Sequence, residues 1–325
     1  MAKPSPVRSV SAVTPMPEAA RAFLAARLGD VQRNLSGLGD PPGNAHPKGT
    51  RASRPRQPSV PAEAVHDSRV ATRRLRAALK LFGDGGRVRK ADGVVSALQD
   101  ALGGVRDIHV QVDAFAKLGA RAQPSEQAAL RHLRQSLASE LSPRVSVMHT
   151  AVAKWGKGGL QTLARLERLK PPGKLGGHRT REALVGQLEK LEARVIRALE
   201  DPSPLPMHKL RIAVKRFRYA LELLEPAMPE EVGQIYEALV PLQEALGQLH
   251  DTDVRIALVD SQSSPSTEGR DALLRRLRAE RDRQAQAVQQ TLGTWEDEAV
   301  ALRALVLLSS SPVKRATARR ASNRR

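Results

Sequence analysis

Apolar positions recur every three or four residues over most of the chain, which is the spacing of helices that bury one face. No segment alternates apolar and polar residues at every second position for the length of a strand. We therefore predict an all-α protein. The segments with helical spacing are separated by Gly, Pro and Ser clusters, and they cover 17–37, 62–82, 88–103, 105–118, 125–140, 143–154, 160–169, 179–200, 205–225, 229–248, 250–260, 268–292 and 294–309.

Three other segments have compositions typical of irregular structure. Residues 1–16 are rich in Pro and Ser, and we predict a disordered N-terminus there. Residues 39–61, rich in Gly, Pro, Ser and Arg, are predicted to form a loop. Residues 310–325 carry six positive charges and no acid, which predicts a disordered basic tail. The helical domain then spans 17–309.

Two sequence blocks occur twice, in the same order along the chain. "VHDSRVATRRLRAALKLF" (65–82) matches "MHKLRIAVKRFRYALELL" (207–224), and "LQDALGGVRDIHV" (98–110) matches "LQEALGQLHDTDV" (242–254). The copies lie 142 and 144 residues apart, a spacing that chance does not readily give. We predict that one helical unit is present twice, as residues 17–170 and 175–309.

Each copy of the first block has an apolar face and a cationic face when it is drawn as a helix. The apolar faces consist of Ala71, Leu75, Ala78, Leu79 and Phe82, and of Ala213, Phe217, Ala220, Leu221 and Leu224. The opposite faces carry two stripes of basic residues. The first stripe is His66, Arg69, Arg73, Arg76 and Lys80, the second is His208, Arg211, Lys215 and Arg218, and Arg74 and Arg216 flank them.

The two stripes predict an anion-binding surface. Like charges on one helix face repel each other, and the first stripe contains no acid that would relieve this. Arginine side chains suit bidentate contacts to phosphate oxygens, and successive helical turns space them by about 5.4 Å along an extended polyanion. The structural alternative is that the cations pair with carboxylates of neighbouring helices, above all with Asp107 and Asp251. Two aspartates cannot neutralise both stripes, however.

The histidines that begin the stripes have two interpretations. His66 and His208 are either structural residues near a helix start or hydrogen-bond donors to phosphate, titrating near a pKa of about 6.5 if unperturbed. Metal binding would need further ligands, and His109 and His250 of the second block do not occupy equivalent positions. No HxxxH or HExxH spacing occurs either, so we predict no metal site.

The composition and net charge of the chain restrict the classes of binding partner that fit it. The formal net charge is +19, and +9 remains when the segments 46–61 and 312–325 are set aside. A basic body of this kind predicts a polyanionic partner, such as nucleic acid, polyphosphate or an anionic membrane surface. The chain has no cysteine, which excludes disulfides and thiolate chemistry. Its apolar runs are too short to span a bilayer and no secretory signal is evident, so we expect a cytoplasmic protein.

The two pairs of blocks resemble the CHAD family, the conserved histidine α-helical domain, over about residues 17–309. This resemblance implies two pseudo-symmetric four-helix bundles whose His/Arg/Lys helices line a basic surface between them. It also implies binding of inorganic polyphosphate and, in bacteria, association with polyphosphate granules. Carried over by position, the polyphosphate ligands are His66, Arg69, Arg73, Arg74, Arg76, Lys80, His208, Arg211, Lys215, Arg216 and Arg218. One departure is His109, which stands where the family pattern has an acid.

Two other functions compete with polyphosphate binding. Sequence-nonspecific nucleic-acid binding fits the charge and the basic tail, but two Trp, two Tyr and four Phe offer few stacking platforms. Phosphoanhydride hydrolysis would need grouped carboxylates for Mg²⁺ or a P-loop, and neither pattern occurs. The ExExK signature of the triphosphatases that are often fused to CHAD units is also missing. We therefore predict a binding protein without catalytic residues or a cofactor; its oligomeric state stays open.

Overall fold

Helices account for most of the residues that the computed structural model describes, which are 3–39, 60–83, 85–261, 267–293 and 295. These residues contain no strand, and one isolated β-bridge joins Pro15 and Lys174. The prediction of an all-α protein is confirmed. Over the described ranges the helices are α1 (Met16–Ser36), α2 (Ala62–Phe82), α3 (Gly86–Gly119), α4 (Pro124–Lys154), α5 (Leu160–Ala164), α6 (His178–Glu200), α7 (Pro204–Leu224), α8 (Pro229–Ser261) and α9 (Thr267–Gly293).

Three of these helices are longer than the apolar spacing indicated. The pairs predicted at 88–103 and 105–118, at 125–140 and 143–154, and at 229–248 and 250–260 are the continuous helices α3, α4 and α8. Both α4 and α8 contain an interior proline, which removes a backbone donor and disfavours a helix. In α4 the buried face nevertheless continues across the proline, from Leu137 to Val145. Tertiary burial therefore outweighs the local preference.

The short helix predicted at 160–169 is α-helical only in its first half. A π-helical turn (Trp155–Gly159) precedes α5, and a 3₁₀ turn (Arg165–Arg168) follows it. The indole of Trp155 is buried and lies against Gly159, where an added Cβ would come 2.7 Å from the ring carbon Cε3. The widened turn thus places a large aromatic side chain in the core where the backbone has no side chain.

The described part of the N-terminus differs from the disorder that its composition predicted. Ser5 donates its backbone N–H and its hydroxyl to Asp30 of α1, and the hydroxyl contact is 2.6 Å long. Arg27 donates to the same carboxylate over 2.7 Å, and both partners are buried. Farther along, the backbone N–H of Gly176 donates to the carbonyl of Ala12 over 2.8 Å. Specific hydrogen bonds therefore hold a segment with little apolar surface.

Some predicted segments lie outside the described residues. Of the loop 39–61 only residues 39, 60 and 61 are described, and of the helix 294–309 only Trp295. The basic tail 310–325 lies wholly outside them.

The chain divides into two compact units. Unit 1 consists of Met1–Arg8, Ala20–Pro171 and Arg255–Leu277, and unit 2 of Ser9–Ala19, Pro172–Val254 and Arg278–Arg325. The helix α2 belongs to unit 1 and α7 to unit 2, so each unit contains one of the two basic helices. The repeat of residues 17–170 and 175–309, and its arrangement as two four-helix bundles, stay predictions.

The apolar faces predicted for the two basic helices are buried, apart from one alanine. In α2 all five positions are 3% exposed or less. Three of them, Ala71, Leu75 and Leu79, belong to a core that includes Leu98 and Leu102 of α3. In α7 the face is buried within unit 2, except for Ala213, which is half-buried. Because these faces are fixed in the core, the basic residues of both helices lie on the opposite side.

Candidate functional site

The first stripe lies on the side of α2 that faces away from the core of unit 1. His66, Arg69, Arg73 and Arg76 are half-buried, as is the flanking Arg74, while Lys80 is exposed. Half-burial of long cations is typical when their aliphatic parts cover apolar surface and their charged ends reach water. The sequence-predicted residues of this stripe are therefore brought together on one surface.

One arginine in each stripe is paired with an aspartate of the second repeated block. The Nη1 atom of Arg69 donates to Oδ1 of Asp107 over 3.1 Å, and in unit 2 the Nη2 atom of Arg211 lies 3.9 Å from Oδ1 of Asp251. Pairing with these two aspartates was the structural alternative for the stripes, and it holds for one arginine of each stripe. Asp107 is exposed and Asp251 is half-buried, so water partly screens both pairs while they orient the guanidinium groups.

Arg76 forms a bidentate ion pair with a carboxylate of α3. Its Nε and Nη2 atoms donate to the two carboxylate oxygens of Asp92 in α3, over 2.6 and 3.1 Å. This bidentate pair raises the pKa of Arg76 above its ordinary value, chiefly through the hydrogen bond. Arg76 therefore fastens α2 to α3, and its donors are largely committed.

Arg218, at the equivalent position of the second stripe, is not on the exposed surface. Only 6% of the residue is exposed. Its guanidinium lies over the ring of Tyr219 at 4.9 Å and 5.8 Å from the ring centre of Tyr236, with Glu222 at 3.8 Å. Burial between aromatic rings stabilises the cation inside unit 2. The one signal in the sequence was Glu222, an acid one turn after Arg218.

The rest of the second stripe is accessible. Arg211 and Lys215 are half-buried like their counterparts in the first stripe, and the flanking Arg216 is exposed. The charges of Arg211 and Lys215 act on His208 at the start of the helix. The structure therefore brings these three predicted residues together in unit 2.

In unit 1 the stripe histidine lies near a permanent cation. Burial lowers the pKa of His66 below its usual value, and the charges of Arg106 in α3 and of Arg73 lower it further, while Asp67 opposes them. His109 also has a lowered pKa, through burial and then Arg106. The neutral imidazole is therefore the favoured form at both positions near neutral pH. Arg106 was not among the predicted site residues.

In unit 2 the stripe histidine meets a second histidine. The Nδ1 atoms of His208 and His250 are 3.2 Å apart, and the ring centres are 4.6 Å apart. Burial lowers the pKa of His208, as do Arg211 and Lys215, while Asp253 opposes them. His250 was also missed as a site residue. The sequence contained a signal for both residues, because the aligned blocks place Arg106 opposite His250. In the structure, Arg106 acts on His66 and His250 contacts His208, so each lies near the histidine of its own stripe.

The described residues contain neither a candidate metal site nor a candidate membrane span. They contain no group of three or more His, Asp or Glu side chains arranged to hold a metal ion. No helix in the described ranges combines the length and apolarity that crossing a bilayer requires. What both units present is a row of guanidinium, ammonium and imidazole N–H groups, all donors, on one helix face.

Comparisons with known proteins agree with this fold. The family model described as CHAD domain matches residues 44–260, which is more than half of the chain. The crystal structure of the CHAD domain from the plant Ricinus communis is 22% identical, with a TM-score of 0.62, and the match covers 94% of this chain and 96% of that one. PptA from Streptomyces chartreusis is 18% identical, with a TM-score of 0.60 over 86% of this chain and 99% of that one.

A search of curated proteins gave no significant match. The family model covers both copies of the repeated blocks that carry the stripes. This protein belongs to the CHAD domain family.

Proposed function

We propose that the protein binds inorganic polyphosphate, without chemical conversion, through the basic faces of α2 and α7. The observation that carries the proposal is the shared construction of these helices. In each unit, one helix buries an apolar face and turns a histidine, an aspartate-paired arginine and further cations outward. The family to which the chain belongs is associated with polyphosphate binding in general.

The chemistry of the two faces fits a linear anion. Phosphate oxygens accept hydrogen bonds from guanidinium, ammonium and imidazole N–H groups, and a charge-assisted contact contributes roughly 1.5–3 kcal/mol. A helix repeats its turns about every 5.4 Å, so one face offers successive contacts along a chain of phosphates. A single small anion would use only one or two of them.

The proposed contact set is smaller than the sequence suggested. Arg76 is engaged by Asp92 and Arg218 is buried, so we assign both to the stability of their units. We retain the outward-facing residues as polyphosphate contacts. These are His66, Arg69, Arg73, Arg74 and Lys80 in unit 1, and His208, Arg211, Lys215 and Arg216 in unit 2.

The proposal also concerns the subcellular location of the protein. A polyphosphate-binding protein of the cytoplasm would be concentrated where that polymer accumulates, and we place this protein at polyphosphate granules. A fluorescent fusion should follow the granules and disperse when polyphosphate synthesis is blocked. A distribution that does not respond to polyphosphate would contradict this assignment.

A competition titration tests the function. Labelled long-chain polyphosphate is bound to the protein lacking residues 312–325 and then displaced by duplex DNA, at equal phosphate concentration and about 0.15 M salt. We expect DNA to compete poorly, because closely spaced side chains on one helix face suit a thin, densely charged polymer. Equal competition would make the stripes a general basic surface and favour nucleic-acid binding instead.

A second assay tests the absence of catalysis. Polyphosphate is incubated with the protein and Mg²⁺, and released phosphate is measured over hours. We expect no release above that of the buffer, because the stripes hold no carboxylate group suited to Mg²⁺. Release that scales with protein concentration would contradict a pure binding role.

A further inference from the structure

His208 and His250 share one hydrogen bond between like atoms. Their Nδ1 atoms are 3.2 Å apart, so one of them must carry a proton and the other must accept it. The two rings belong to different helices, α7 and α8, and both are half-buried. The pair therefore holds one proton between the Nδ1 atoms even when neither ring is charged.

One further proton changes what the pair offers to an anion. In the neutral pair, the donating ring has a bare Nε2 lone pair, which repels a phosphate oxygen, and only the other Nε2 carries a proton. After uptake of one proton, both Nε2 atoms are N–H donors and the pair has a charge of +1. This result is the same whichever ring donates in the shared bond. A second added proton would break that bond and is opposed by it.

The surroundings disfavour this proton in the free protein, and burial of His208 is the largest cause of its lowered pKa. Arg211 and Lys215 of α7 repel an added positive charge at His208. Asp253 of α8 favours the charge, but Arg281 of α9 donates to that aspartate over 3.0 Å and offsets part of its effect. A bound phosphate chain brings negative charge to the same helix face and reverses this balance.

Unit 1 has no equivalent histidine pair, because the position that corresponds to His250 is a permanently charged arginine. Arg106 occupies the place of His250 in the aligned blocks, and it acts on His66 as a fixed cation. Guanidinium does not lose its proton at any physiological pH. The two units thus differ at one equivalent position, a titratable ring in one and a fixed charge in the other.

We propose that the His208–His250 pair takes up about one proton when the second stripe binds polyphosphate, and that His250 is a binding residue of that stripe. The inference rests on the proposed function. Unit 2 would then bind polyphosphate more tightly as the pH falls, whereas the Arg106 position of unit 1 keeps its charge throughout.

Calorimetry measures this uptake directly. The intact 325-residue chain is titrated with long-chain polyphosphate at about pH 6.5, in two buffers of different ionisation enthalpy. The difference between the two heats gives the number of protons taken up per binding event. Long chains are used because only their terminal phosphates titrate near this pH. We expect clear uptake by the wild-type protein, with the His208–His250 pair contributing about one proton.

Two variants assign the proton to the pair. His250→Arg copies the residue of unit 1 and should remove at least half of the uptake, while binding at about pH 8 is at least as tight as in the wild type. His250→Gln removes the titrating ring without adding charge, and it provides the same test if the arginine disturbs the fold. His178→Arg is the matched control. It adds the same charge at an exposed position of α6, paired with Glu182, and should leave the uptake unchanged.

The outcomes separate this inference from the proposed function. Binding without proton uptake in the wild type overturns the inference and leaves polyphosphate binding standing. Uptake that persists in both His250 variants also overturns it, because the proton then goes elsewhere. Absence of binding in the wild type overturns the proposed function, and the inference falls with it. Uptake that falls by at least half in both variants but is kept in His178→Arg supports the inference.

Discussion

Arg76 grips Asp92 with two parallel hydrogen bonds, one of 2.6 Å from Nε and one of 3.1 Å from Nη2. The two side chains are 22% and 21% exposed, so the pair is only partly screened by water. It joins α2 to α3, and α2 carries the first stripe. The sequence pattern places Arg76 among the phosphate-binding residues, but in the structure it connects α2 to α3.

Replacing Arg76 should mainly lower the stability of unit 1 and have little effect on the affinity for polyphosphate. We expect Arg76→Gln to lower the free energy of unfolding by about 1.5–3 kcal/mol, because Asp92 loses charge-assisted donors. Arg73→Gln, made on the same helix face, should have the larger effect on polyphosphate affinity. Urea unfolding and a binding titration of both variants give the comparison. A greater affinity loss in Arg76→Gln, with unchanged stability, would make Arg76 a ligand.

Reversing one charge in each stripe should impair binding strongly. The double variant Arg73→Glu with Lys215→Glu should bind polyphosphate at least tenfold more weakly, a change of about 1.4 kcal/mol, because each site then repels phosphate. Fluorescence anisotropy with labelled polyphosphate measures the loss.

The control for that variant changes the net charge by the same amount at other positions. Lys117→Glu with Arg197→Glu reverses two largely exposed cations of α3 and α6 that belong to neither stripe. Its affinity should stay close to that of the wild type, and removal of residues 312–325 should also leave most of the affinity. If tail removal abolishes binding and the stripe reversal does not, the stripes are not the binding surface.

Stability without ligand should fall as the solution is acidified. The pKa values of His66, His109 and His208 are lowered in the folded protein, with burial as the largest cause. The unfolded chain, with histidines near a pKa of about 6.5, therefore binds more protons than the folded one around and just below that pH. Stability is full above the unfolded pKa and is lost as the pH falls through 6.5 towards the lower folded values.

Thermal unfolding between about pH 7.5 and about pH 5.5 measures this effect. We expect the melting temperature to decrease over that range, and to decrease less in a His66→Gln, His208→Gln double variant. Saturating polyphosphate should protect more at the acidic end, since it favours the charged histidines. A melting temperature that does not change, or one that rises on acidification, would contradict the assigned shifts.

The turn at Trp155 should tolerate alanine at one glycine and not at its neighbour. In Gly159→Ala the new methyl would lie 2.7 Å from the buried indole, and we expect a loss of about 1–3 kcal/mol through overpacking. Gly158→Ala is the matched control in the same turn, because an added Cβ there meets no atom within 4 Å. Equal melting temperatures for the two variants would refute this reading of the turn.

Part of the site was readable from the sequence because it depends on helical periodicity alone. The apolar spacing of α2 fixes which side faces the core, and the basic side chains then lie on the other side. Asp107 was also named as a possible partner of the first stripe, since it lies in a repeated block, but the sequence did not indicate that Arg69 is the residue it engages. Helix length was less predictable, because burial on both sides of Pro143 depends on other helices.

Whether an individual cation is paired, buried or exposed depended on residues distant in sequence. Periodicity places Arg76 and Arg218 in their stripes, yet Asp92 engages one, and Tyr236, with the nearby Tyr219 and Glu222, encloses the other. The contact of His208 with His250 joins two helices and could not be read from either block alone. The sequence by itself determined that the chain is helical, which faces of α2 and α7 are buried, and the number of basic residues. Only the tertiary structure decided which of them are paired, buried or titratable, because burial and partner distance set the energy of a charge.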